Sequence, residues 1–251
     1  MHSVYVSLLV FLLVFAGSIA GIYLRRILPD EHFSPDAKAT IRLSMGFVVT
    51  MTGLVLGMLV SSAKSSYDAQ KLVVAQMSSE LILLDRDLKE FGPDATMIRV
   101  QLREYVDAVV HRVWPQEAFT SVELRPQDNV DKVEEQIKIL TPKNERQSSA
   151  KAHALALLGQ LRQATWLAFI QSDSNSLSMP LLVVLVSWLV VIFVSFGLMA
   201  PPNPTVIITL LIGSLAVSGA ILIIMEMYSP FSGILRISSA PMQDALSRLN
   251  H

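Results

Sequence analysis

The chain has no cysteine, which excludes disulfides and thiolate metal sites. Charge is scarce: 16% of the 251 residues carry it, against about 25% in soluble domains. Neither sign is in excess, since the net charge is −1, and no basic tail points to a nucleic-acid partner. No phosphate-binding Gly-rich loop, nucleophile–base pair or His-rich metal spacing occurs. His111 and His153 stand singly on helical faces, and the adjacent Asp30, Glu31 and His32 cannot easily converge on one ion. These absences argue against an enzyme and imply no cofactor. Basic residues are also missing before the first apolar run, Val4–Leu24, which is longer than the about 7–15 apolar residues of a secretory signal. Although Ala16–Ala20 offers small residues, the run reads as a retained helix.

What is abundant is apolar surface: 52% of residues are hydrophobic and the mean hydropathy is +0.49. The uncharged residues gather in three blocks, Val4–Leu24, Leu43–Ala63 and Ser174–Met225. The third is broken by Pro201, Pro202, Asn203 and Pro204, as two spanning helices joined by a tight turn would be. The expectation is an all-α membrane protein with four transmembrane helices, about 4–24, 42–63, 180–199 and 205–227. The first two occupy residues 1–64 and the last two 178–228, with a tail at 229–251. Residues 65–177 show no alternating strand pattern and no internal repeat, so a helical soluble domain is expected between the second and third spans.

The second span is the most patterned. At about 100° per residue, Gly46, Thr50, Gly53, Gly57 and Ser61 share one face, and Arg42 and Lys64 bracket it on the same side. Such a face is either the tight-packing side of a helix bundle or the wall of an ion path with a ring of positive charge at each end. Beyond Lys64 neither Gly nor Pro interrupts the chain until Gly92-Pro93. Over that stretch Val74, Met77, Leu81, Leu84, Leu88 and Phe91 form a seam of coiled-coil period. A helix running from Ile41 to Phe91 would be ~75 Å long, with about half of it outside the membrane as a stalk. Ser34 before Pro35 is a helix start signal; Asp94 is the expected cap of the next helix and Ser178 that of the third span. Ala95–Trp114, Val130–Leu140 and Ser148–Gln171 complete the domain, and a short amphipathic helix is expected near Met242–Leu249.

Two further features stand out in the spans. Gly17 and Gly21, four apart in the first, allow close helix approach. Glu226 lies at the exit of the fourth, where an interfacial carboxylate reaching the headgroups or pairing with a neighbour is expected.

The chain resembles the bestrophin-like family of bacterial membrane proteins in several short motifs. They are Arg26 to His32 with Pro29, Ala63-Lys64-Ser65-Ser66-Tyr67, Leu84-Asp85-Arg86 and Phe91-Gly92-Pro93. Arg99, Leu102-Arg103, Tyr105 and Trp114-Pro115 follow, then Pro180, Trp188, Phe196-Gly197-Leu198, Glu226, Pro230-Phe231 and Gly233. More distantly it resembles bestrophins proper, pentameric anion channels whose second transmembrane helix lines the pore and whose helical insertion is cytosolic. The resemblance implies a homo-oligomer around a central path for inorganic anions such as chloride. It also implies residence in a bacterial inner membrane, with the soluble domain and both termini cytoplasmic. The aromatic-rich neck of bestrophins is absent, since the small face carries Gly, Thr and Ser. Basic residues near the membrane are balanced, with Lys64, Lys71, Arg236 and Arg248 against Arg25, Arg26, Lys38 and Arg42, so charge alone leaves orientation open. The alternative from another class is a membrane-anchored oligomeric scaffold without transport, in which the stalk seam assembles subunits or docks a partner.

Overall fold

A computed structural model describes residues 2–29, 34–114, 126–174, 179–201, 203–231 and 233–249. All regular structure among them is helical: α1 (His2–Ile27), α2 (Pro35–Phe91), α3 (Thr96–Val113), α4 (Pro126–Ile139), α5 (Glu145–Ser174), α6 (Met179–Met199), α7 (Pro204–Met227) and α8 (Ala240–Arg248). Helices α1, α2, α6 and α7 are each long and apolar enough to cross a bilayer. The loop acids Asp30 and Glu31, His32, and the expected cap Ser178 fall outside the described residues.

The chain divides into two compact units, Met1–Tyr67 with Asn175–Arg236, and Asp68–Ser174 with Ile237–His251. The tail is therefore shared between them at Arg236, where one separate segment was expected. Helix α2 contributes to both units and starts at Pro35, as the Ser34-Pro35 signal predicts, with Ser34 accepting the Ala37 N–H at 3.2 Å.

In the first unit, α1 packs against α6 and α7. Its contact with α6 is set by glycine. A methyl group at Gly21 would lie 2.1 Å from the Val194 carbonyl oxygen, and one at Gly197 would lie 2.1 Å from that of Ser18. Backbone meets backbone here, which only glycine permits, and lipid supplies no hydrophobic effect to replace such packing. The α1–α7 contact is polar: the buried Ser7 hydroxyl donates to the Ser218 carbonyl at 2.8 Å. Arg25 Nη1 donates to the Leu198 and Met199 carbonyls at 3.3 Å each, placing a cation on the C-terminal end of α6. Helix α2 adds to this core only Leu59 and Ala63, with Val48, Val55 and Leu56 at its edge.

The second unit is a helical cluster. Its core holds Leu84, Leu88 and Phe91 of α2, Leu102 and Val106 of α3, Ile137 of α4, Ala154 and Leu158 of α5, and Ile237, Met242 and Ala245 of the tail. Gly92, at φ +109° and ψ −161°, turns the chain out of α2 before Pro93 in a conformation suited to glycine, though not the αL geometry of a left-handed cap. Asp94 does not cap α3, whose N-cap is Ala95 without a side-chain bond; a 3-10 turn over Pro93–Ala95 starts that helix, and Asp94 accepts from Lys143 Nζ at 2.7 Å. Arg99 holds Asp85 through two bonds of 2.6 and 3.0 Å, tying α3 to α2. Gln147 donates to the Phe91 carbonyl at 2.6 Å, and Trp114 Nε1 to that of Ile237 at 2.7 Å. Surface pairs tighten the outside. A hydrogen bond from Arg146 holds the Glu90 carboxyl below its usual range, and Lys138 chiefly does the same to Glu134.

The glycine crossing gives a direct check. Gly21→Ala and Gly197→Ala should each cost about 1–3 kcal/mol or more through overpacking, read as a lower thermal midpoint of the detergent-solubilised protein. Gly159→Ala, where a methyl meets nothing within 4 Å, should leave the midpoint unchanged or raised.

Candidate functional site

Within the first unit, α2 presents three different sides. Thr52, Leu59 and Ala63 are buried, with Val48, Val55 and Leu56 partly so, and they recur at the three- and four-residue spacing of one helical face. A second side carries Gly46, Thr50, Gly53, Gly57 and Ser61, all exposed, with Arg42 and Lys64 exposed at its ends. A third is bulky and apolar: Leu43, Phe47, Leu54 and Met58 are also exposed. Only 11% of the most apolar stretch of α2 is buried within the chain, against 39%, 33% and 28% for α1, α6 and α7. Of the four spans, α2 is the least covered by its own chain.

The small side therefore differs from the one on α1. Methyl groups at Gly46, Gly53 or Gly57 would meet nothing within 4 Å, whereas those at Gly17, Gly21 and Gly197 meet a neighbouring helix. Among the described residues, the tightest glycine contacts are on α1 and α6, and the glycines of the α2 stripe meet no other helix. Its hydroxyls are partly engaged, since Thr50 donates to the Gly46 carbonyl at 2.9 Å. Arg42 and Lys64 are 22 residues apart, ~33 Å along a helix and close to the ~30 Å hydrocarbon thickness, so they would lie at its two borders.

The seam residues lie in the other unit. Val74, Leu81, Leu84, Leu88 and Phe91 are buried and Met77 is partly buried, all within that unit's own core. Met77 and Leu81 line a small apolar cavity of about 30 Å³ together with Leu102, Tyr105, Val106 and Leu158. The seam is thus occupied by α3 and α5 of the same chain and offers no free stripe for assembling subunits. A coiled-coil period specifies a partner helix, and here the chain supplies its own.

Glu226 is 2% exposed and does not reach out toward headgroups. Its Oε2 accepts from the backbone N–H of Ile234 and, at 3.3 Å, from that of Leu235. Just beyond it, the Tyr228 hydroxyl meets Ser62 Oγ of α2 at 3.3 Å. Sequence reasoning missed these pairings; the available signal was a lone acid seven residues before Gly233. No cluster of three or more His, Asp or Glu suited to a metal ion occurs among the described residues.

Four apolar helices, a helical unit sharing the second of them, and an uncovered face on that helix define an all-helical integral membrane protein of a particular arrangement. A model of the Bestrophin-like domain matches residues 11–242, and the chain belongs to that family. Among solved structures, two variants of a bacterial bestrophin homolog from Klebsiella pneumoniae align with TM-scores of 0.69 and 0.68. Their identities are 11% and 13%, and the alignments cover 97% and 96% of both chains. A structure described only as a membrane protein aligns at 0.68 with 11% identity over 97% of each chain. At such identities the likeness is one of fold. A comparison with curated proteins gives no match.

Because the chain has no native cysteine, the sides of α2 can be probed one residue at a time. In reconstituted vesicles, Gly53→Cys and Ser61→Cys should react with a charged, membrane-impermeant thiol reagent. Met51→Cys and Met58→Cys, exposed apolar positions turned well away from the small side, should react far more slowly. Equal protection of all four would place the small side against protein or lipid.

Proposed function

We propose that the chain forms a homo-oligomeric channel for inorganic anions, with α2 lining the path. The observation that carries this reading is the uncovered side of α2 between Arg42 and Lys64, in the span least buried by its own chain. Taking a bare anion into hydrocarbon carries an idealised cost on the order of 20 kcal/mol, so a path must be wet and electrostatically favourable. Around a symmetry axis the small residues would leave room for water, and Arg42 and Lys64 would become rings of positive charge at the two mouths. The bulky side would then lie against the neighbouring subunit or lipid.

The finer features of this reading rest on resemblance to bestrophins. They are a pentamer in a bacterial inner membrane and a helical domain, about 65–177, inserted between the second and third spans on the cytoplasmic side. The scaffold alternative loses its main support because the stalk seam is filled by the chain's own helices.

Purified oligomer in planar bilayers should conduct, with a reversal potential in a chloride gradient near that of an anion-selective pore. Lys64→Glu should move that potential toward the cation side. Silent bilayers from an intact oligomer would contradict the proposal and return the chain to the scaffold reading.

A further inference from the structure

The exit of α7 holds a buried acid for which conduction itself has no use. Glu226 is the last residue but one of α7, and the contacts that its carboxylate shows are backbone N–H groups of the tail, at Ile234 and Leu235. A carboxylate taken out of water is costly without hydrogen bonds, and these two provide them. The turn that delivers them depends on Gly233, whose φ of +90° suits glycine and whose added methyl would lie 2.2 Å from Oε2. Between acid and turn sit Tyr228, bonded to Ser62 of α2, and the buried Pro230. Ser62 adjoins Ser61 and precedes Lys64 by two residues, at one end of the small side of α2.

We propose that Glu226 is a latch: by binding the 233–235 turn it holds Tyr228 against Ser62 and so positions the end of α2 where the path opens. The inference rests on the channel reading for its consequence, while its mechanism is local to this junction. After the latch the chain runs directly into Ile237, Met242 and Ala245, which are buried in the second unit. Glu226 is a positioning residue in this scheme and touches no ion.

The test is a mutant cycle on the full-length detergent-solubilised protein, read by thermal midpoint and therefore independent of conduction. Tyr228→Ala should lower the midpoint by several degrees in the native background and by less than half as much when combined with Glu226→Ala, because the ring is already released. Glu226→Gln, which keeps an acceptor oxygen, should retain most of the effect of Tyr228→Ala. Gly233→Ala keeps the acid but drives a methyl group against its carboxylate and displaces the turn, should behave like Glu226→Ala, and serves in its place if the latter does not fold. In bilayers, Glu226→Ala and Gly233→Ala should change open probability in the same direction. Fully additive midpoint shifts, or a Glu226→Gln protein as uncoupled as Glu226→Ala, would overturn the latch. A native protein that never conducts, with the mutant cycle still coupled, would remove the channel reading and leave the latch standing.

Discussion

The membrane unit depends on the backbone contact between α1 and α6. Gly21 and Gly197 bring the two helices so close that each would set a methyl group against the other's carbonyl oxygen. With α7 joined through Ser7 and Ser218, these three spans satisfy one another in the one way lipid allows, by dispersion packing and a few interhelical hydrogen bonds. Helix α2 is held by one side only. Its remaining circumference, small on one part and bulky on the other, is largely exposed among the described residues. Channel formation is an attractive use for such a helix because its open small side is the one bracketed by basic residues at roughly the membrane's thickness.

The spans could be read directly because hydrocarbon imposes length and composition on any helix that crosses it. What could not be read was which small residues touch a helix. Gly17 and Gly21 look no different in composition from Gly53 and Gly57, yet the first pair packs within the chain and the second does not. Small residues permit close approach without naming a neighbour. The seam from Val74 to Phe91 shows the same limit: its period called for a partner helix, and α3 and α5 of the same chain provide it. Asp94 had the composition of a cap, but the 3-10 turn starts α3 and Lys143 takes the carboxylate. Glu226 was legible as an anomaly, while its partners come from a turn whose geometry depends on the positive φ of Gly233.

Helix α2 thus belongs to two environments. Below Tyr67 it is mostly uncovered, and from Asp68 onward it supplies the core of a helical cluster, pinned by Asp85–Arg99 and by Gln147 on the Phe91 carbonyl. The tail has a comparable double role, giving two N–H groups to Glu226 and then burying Ile237 and Met242 elsewhere.

The central claim is that the small side of α2 faces water in an assembly of like subunits. The measurement that tests it most directly is a three-dimensional map of the purified protein in lipid nanodiscs, at a resolution that places side chains. A closed ring is expected, its central opening bordered by Gly46, Thr50, Gly53, Gly57 and Ser61, with Arg42 and Lys64 at its two ends. A monomer, or an oligomer whose α2 small sides are packed against helices with no opening at the axis, would contradict it.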